Sequence, residues 1–142
     1  LLIKSVSADV MYIDPPYNSR QYSRFYHVLE NLTLWNKPEL YGTARKPEAR
    51  PETTSSYCKS EAHLSLKDLI ESADSKLIVL SYNNTYNSKS GSSKNKISFE
   101  QIQSIMKNKG KTKIVEKKFP SFNAGKTNFD DHKEFLFITE VN

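Results

Sequence analysis

Apolar residues along this chain gather into short runs set apart by long polar stretches, and the spacing inside each run predicts its element. Val10-Met11-Tyr12-Ile13 is almost unbroken, as in a strand over residues 9–13 covered on both faces. From about Tyr22 to Leu34 the period lengthens: Phe25, Val28, Leu29 and Leu32 fall at helical spacings and can face a core together. Ser65 with Asp68 three positions on resembles a capping box opening a helix through about Ala73, and Leu77-Ile78-Val79-Leu80 reads as a second buried strand. Ser98 and Gln101 form another capping-box candidate, with Phe99, Ile102, Ile105 and Met106 on one face and Gly110 as the stop. Two further strands, roughly 112–119 and 134–141, finish the chain.

Turn-forming residues separate these elements. The stretch from Trp35 to Ala62 holds Pro38, Pro47, Pro51 and Gly42 among many Ser and Thr and predicts a long loop. Residues 83–95 are a polar Asn/Ser/Lys/Gly loop, and a third loop contains Pro120 and Gly125. The order strand, helix, strand, helix, strand, strand gives the fold class: one α/β domain over residues 1–142. Its first three strands should be parallel and its last antiparallel. In open sheets of this kind ligands sit beyond the carboxyl ends of the parallel strands. Asp14 and Tyr82-Asn83 both fall at such ends, so two distant pieces of sequence should meet on one rim.

The chain is 142 residues long, enough for one modest core. No apolar run approaches the roughly 18 residues of a membrane span, no signal-peptide pattern is present, and the single Cys58 excludes an internal disulfide. A reducing cytoplasm fits, with Cys58 expected as a stray loop thiol. With one Cys and three His no metal site is expected. The net charge of +5 is unevenly spread: residues 1–88 are balanced, whereas residues 89–126 carry ten Lys against Glu100 and Glu116. That excess is either a phosphate-tracking surface or a solvated lysine-rich face.

Asp14-Pro15-Pro16-Tyr17 is the stretch with the most specific chemistry. Two consecutive prolines cannot donate to a ladder, so the chain must leave the sheet there with its carbonyls free. An acid before them and an aromatic after them make a small polar pocket with a flat wall, suited to a planar base carrying an amino group. The plainer alternative is a proline turn that merely ends the strand.

Asp14-Pro15-Pro16-Tyr17-Asn18-Ser19-Arg20-Gln21-Tyr22, followed by Tyr26-His27-Val28-Leu29-Glu30, resembles the catalytic stretch of the bacterial adenine-specific DNA methyltransferases of the Dam-like class, especially the branch accompanying restriction enzymes. Leu80-Ser81-Tyr82-Asn83-Asn84 is similar to a strand-end motif of that family, and Lys133–Ile138 to its closing strand. The resemblance implies a Rossmann-like, seven-stranded sheet of which this chain matches the second half. It also implies methyl transfer from S-adenosylmethionine to the exocyclic amine of an adenine flipped out of double-stranded DNA, in a nucleoid-associated enzyme. Asp14 would accept one amino hydrogen and the Pro15 carbonyl the other, with Pro16 holding the bend and Tyr17 stacking on the base. Asp14 would also reach the donor's amino-acid portion. Arg20 and Tyr22 would hold the flipped nucleotide's phosphate or sugar, or else serve as a surface ion pair and a core residue.

Asn83 would contact DNA, support the Asp14 loop, or only close an Asx turn. Lys89, Lys94 and Lys96 are candidates for phosphate contact. His27 reads as a packed or capping histidine rather than a base. Departing from the family pattern, the four glycines lie far apart, so the glycine-rich donor-binding turn is missing, and Leu1-Leu2-Ile3 lacks an initiator Met. The expectation is a C-terminal portion, inactive alone, that needs an N-terminal segment or complementary polypeptide. Two alternatives are an amino methyltransferase acting on RNA or protein and a non-catalytic basic nucleic-acid-binding remnant.

Overall fold

A computed structural model describes residues 2–48, 53–87, 91, 94–119 and 131–142. The apolar runs become four strands, β1 (Ser7–Ile13), β2 (Asp74–Asn83), β3 (Gly110–Lys118) and β4 (Lys133–Val141). They form one mixed sheet in the order β1-β2-β4-β3. β1 runs parallel to β2, from Ser7↔Asp74 to Ile13↔Leu80, and β4 lies antiparallel to both β2 and β3. β1, β2 and β3 therefore point the same way, as their alternation with helices predicted, and the last strand returns between β2 and β3.

The helices are α1 (Tyr22–Phe25), α2 (His27–Thr33), α3 (Ala62–Ser72) and α4 (Phe99–Lys109). α4 opens on the predicted box: the Gln101 N–H donates to Ser98 Oγ at 3.2 Å, and the Ser98 N–H donates to Gln101 Oε1 at 2.9 Å. It stops at Gly110, whose N–H donates to the Met106 carbonyl before the chain turns into β3.

The core lies on one face of the sheet. Ile78, Leu80 and Tyr82 of β2 align with Thr139, Phe137 and Phe135 of β4, and side chains two apart share a face. Against them pack Leu66 and Ile70 of α3 and Ile102 and Met106 of α4, all fully buried. In this row the Thr139 hydroxyl meets the Thr112 hydroxyl at 2.9 Å, and the other polar group is the Tyr82 hydroxyl.

Four expectations are corrected. β1 is covered on one face alone: Ile13 is buried, but Val10 and Tyr12 are 56% and 62% exposed, because both long helices pack on the other side. The helix expected over 22–34 breaks at Tyr26, and Phe25, Val28, Leu29 and Leu32 stay exposed instead of entering a core. Helical spacing aligned those side chains, but no described element covers them. α3 begins at Ala62, before the proposed cap, because Ala62, Leu66 and Ile70 bury together at four-residue intervals; Ser65 Oγ donates to Ser56 Oγ at 2.8 Å instead. Cys58 is no stray thiol: it is buried in the short 3₁₀ turn Ser56–Cys58, with Sγ 3.6 Å from the Arg20 carbonyl. The loop with Pro120 and Gly125 lies outside the described residues, as does Lys89. Among the described residues no helix is long and apolar enough to cross a membrane.

Candidate functional site

β1 ends at Ile13, and the proline pair takes the chain off the sheet at the carboxyl edge it shares with β2. Asp14 is exposed there, Pro15 is buried, and Pro16 and Tyr17 are half-buried. The Tyr17 hydroxyl turns back and donates to Asp14 Oδ1 at 2.6 Å. Burial, then this bond, raises the Tyr17 hydroxyl well above the usual tyrosine value, so it stays a donor. Among the described residues no cation closes an ion pair with Asp14, and no donor reaches the Pro15 carbonyl. Among the described residues the exposed Asp14 carboxylate thus keeps an oxygen beyond its bond from Tyr17, and the carbonyl of the buried Pro15 has no donor.

β2 supplies the floor of the site. The Tyr82 ring meets Tyr17 edge to face at 5.0 Å, so the predicted meeting of the two strand ends is present. Asn83 is buried, and its Oδ1 accepts from the Thr85 N–H at 3.3 Å and from Thr85 Oγ1 at 2.9 Å, which is an Asx turn closing the strand. Asn95 Nδ2 donates to the Asn83 carbonyl, tying the loop before α4 to the same corner. Asn84 receives the Lys133 N–H at 2.9 Å and so pins the start of β4 to the rim. Glu134, opposite Asn83, has its carboxyl raised by burial, opposed by His132 at 3.7 Å and reinforced by Asp14.

After the bend, the Arg20 N–H donates to Asn18 Oδ1 at 3.0 Å and the Arg20 guanidinium lies 5.7 Å from the Phe25 ring centre. Gln21 clamps a distant segment in both directions, its Nε2 donating to the Ser55 carbonyl at 3.1 Å and its Oε1 accepting the Ser55 N–H at 2.8 Å. Tyr22 opens α1 and stays exposed, edge to face with Tyr26 at 5.8 Å. Pro16, Tyr17, Asn18, Arg20, Tyr22, Phe25 and Tyr26 line a cleft of about 180 Å³ beside Asp14. Four of these residues are aromatic and one, Arg20, is a cation, which suits a flat, anionic ligand. His27 lies outside it, with Nδ1 3.1 Å from the Arg24 carbonyl and Nε2 3.1 Å from the Arg45 carbonyl, the packed role expected of it.

Among the described residues the excess lysines lie near the rim, in the last turn of α4 (Lys107 and Lys109) and on β3. Lys94 is exposed and Lys96 half-buried near the rim, where the Lys96 N–H donates to the Tyr17 carbonyl at 2.8 Å. Lys111, Lys113, Lys117 and Lys118 instead stud β3, the outer strand on the far side of the sheet. Charges there discourage strand pairing. Sequence reasoning placed Tyr82 at the rim and Phe25 toward a core, but gave no contact to Gln21, Tyr26 or Glu134. Gln21 and Glu134 meet Ser55 and Asn83, far along the chain, whereas Tyr26 meets the nearby Tyr22.

A family model described as D12 class N6 adenine-specific DNA methyltransferase matches residues 1–97. The chain is 35% identical to the type II methyltransferase M.NlaIII of Neisseria lactamica, over 98% of this chain and 40% of that protein. It is 42% identical to the type II methyltransferase M.FokI of Planomicrobium okeanokoites, over 77% of this chain and 16% of that protein. It is 34% identical to the modification methylase StsI of Streptococcus sanguinis, over 94% of this chain and 19% of that protein. The chain thus spans two fifths or less of the length of these relatives. No solved structure matches it.

Proposed function

Because the chain belongs to the D12 class N6 adenine-specific DNA methyltransferase family, we propose that its rim binds an adenine flipped out of double-stranded DNA and directs a methyl group onto the exocyclic nitrogen. The observation that carries this reading is the bend after β1, where Asp14 and the Pro15 carbonyl offer two acceptors beside the Tyr17 ring. An adenine amino group is a weak nucleophile because its lone pair is delocalised into the ring. Accepting both of its hydrogens draws that lone pair out of conjugation and toward an incoming electrophile. The prolines fix the acceptors in advance, so little reorganisation accompanies the reaction. Tyr17 stacks on the base, offsetting part of the few kcal/mol that extrusion costs. Arg20, Tyr22 and the rim lysines Lys94 and Lys96, with Lys89, hold phosphate and sugar.

S-adenosylmethionine, when bound, supplies the electrophilic methyl group. Among this chain's residues Asp14 suits the ammonium end of that donor, since it is an exposed carboxylate with no cation paired to it among the described residues. Its four glycines, Gly42, Gly91, Gly110 and Gly125, form no glycine-rich turn for the rest of the donor.

The reading therefore includes a complementary portion of the enzyme that holds the donor and completes the sheet. Two features support it. Opposite the core, Val10, Tyr12, Val115 and Leu136 are exposed and Leu77, Val79 and Ile138 only half-buried, an apolar face without a cover among the described residues. β1 carries no basic residue, whereas β3 at the other edge is studded with lysine, so the two edges differ in their readiness to accept a further strand.

The test is reconstitution: this chain is combined with the remaining portion of the methyltransferase, labelled S-adenosylmethionine and adenine-containing duplex DNA. Transfer to adenine is expected only from the combination, and Asp14→Ala should reduce it roughly 10²–10³-fold. Unchanged transfer by Asp14→Ala would refute the role of the bend. Robust transfer by the 142-residue chain alone would refute the need for a complement.

A further inference from the structure

Tyr82 sits at the penultimate position of β2 with none of its surface exposed. A buried phenol needs partners for its oxygen, and this one finds them on two different segments. It donates to the Tyr17 carbonyl at 3.2 Å and accepts from the Ile97 N–H at 3.2 Å. The same carbonyl receives the Lys96 N–H at 2.8 Å. Tyr17 is therefore gripped at its main chain by two donors and at its ring by an edge-to-face contact, while its own hydroxyl points at Asp14.

We propose that Tyr82 is a positioning residue: it sets the height and tilt of Tyr17, and through Tyr17 the Asp14 carboxylate, and it locks that setting to the segment leading into α4. The proposal rests on the reading of Asp14 and Tyr17 given above. Packing alone would need only the ring, which phenylalanine supplies. The link from Ile97 through Tyr82 to Tyr17 needs the oxygen, both as donor and as acceptor. Burial pushes the Tyr82 hydroxyl up to about 12, so the proton that reaches Tyr17 is retained at working pH. The arrangement also separates two tasks on one residue: the Tyr17 hydroxyl meets Asp14, and the Tyr17 carbonyl is held by the scaffold.

Tyr82→Phe removes that oxygen and nothing else. In the chain joined to its complement, kcat for adenine methylation should fall roughly tenfold, the effect of a lost hydrogen bond that held a reacting group in place. KM for the duplex should stay within about twofold. The link can be read in the chain by itself: amide hydrogen exchange at Ile97 should quicken at least about tenfold, with the melting temperature lowered by no more than roughly 5 °C. Tyr17→Phe, which removes the contact to Asp14 but keeps the carbonyl, should leave exchange at Lys96 and Ile97 as it was. A Tyr82→Phe enzyme with kcat within twofold of the parent, or with unaltered exchange at Ile97, would overturn the positioning role. So would a variant whose activity loss is matched by a large fall in melting temperature, since the oxygen would then serve stability alone. Activity indifferent to Asp14→Ala would instead overturn the functional reading underneath.

Discussion

Replacing Gly110 with alanine adds one methyl group where β3 begins. The new carbon would stand 1.9 Å from the Glu140 carbonyl oxygen, 2.9 Å from its carbon and 3.0 Å from Val141 Cα. Ordinary contact starts near 3.4 Å, so one strand must withdraw by about 1.5 Å, and every atom in the way belongs to the backbone. That movement falls on the pairs Gly110↔Val141 and Lys111↔Glu140 and on the Asn142 N–H bonded to the Lys109 carbonyl. Losing one or two ladder bonds at about 1 kcal/mol each, with about 1–3 kcal/mol of overpacking, predicts a destabilisation of about 2–5 kcal/mol. Urea unfolding followed by far-ultraviolet circular dichroism should then show a midpoint lowered by roughly 1–3 M with little change in slope. A loss below about 1 kcal/mol would refute the close approach of β3 to β4 and the β2-β4-β3 order that depends on it.

Phe137→Ala empties a fully buried site whose ring lies 5.4 Å from Phe99 and 6.3 Å from Phe135, and should cost about 3–5 kcal/mol in the same urea experiment. Glu134 has its carboxyl raised by burial from the ordinary 4.5, so the folded chain holds that proton more tightly than the unfolded one. Its contribution to stability is therefore complete below about pH 4.5 and is lost as pH climbs through the raised folded-state value. Glu134→Gln should remove that part of the stability–pH slope, and an identical slope in the variant would contradict the burial assigned to it. Cys58 is buried with its thiol raised by that burial, so alkylation by iodoacetamide should be slow and should speed up with urea in step with unfolding.

What the sequence revealed and what it hid divide along the distance over which each interaction acts. The box at Ser98 and Gln101 was legible because a helix start is satisfied by its own side chains three positions on. The meeting of the bend after β1 with Tyr82 was legible through topology, since parallel strands bring their carboxyl ends to one edge. Burial was not legible in the same way. Periodicity states which side chains share a face, but the cover over that face comes from elsewhere in the chain or from another polypeptide. Cys58 and Ser55 are enclosed or clamped by the Arg20–Gln21 stretch, and Ile97 meets the hydroxyl of Tyr82; none of these contacts leaves a local trace.

The mistaken expectations at Val10, Tyr12, Val28, Leu29 and Leu32 all err in one direction, toward more burial than the described elements provide. Randomly placed surface apolar residues would not fall on one strand face and one helical stripe. Their alignment is what the proposed complement requires. On that proposal the described elements would supply the rim and the complement would cover the opposite face of the sheet. Substituting Tyr12, already 62% exposed, with lysine therefore separates the two levels. The isolated chain should change by no more than about 0.5 kcal/mol, since an exposed side chain has little to lose. Assembly should weaken by at least about tenfold as the burial of one large side chain, worth about 1.5–3 kcal/mol, is forfeited. Full-strength assembly by that variant would detach the apolar face from the complement and leave it without a function.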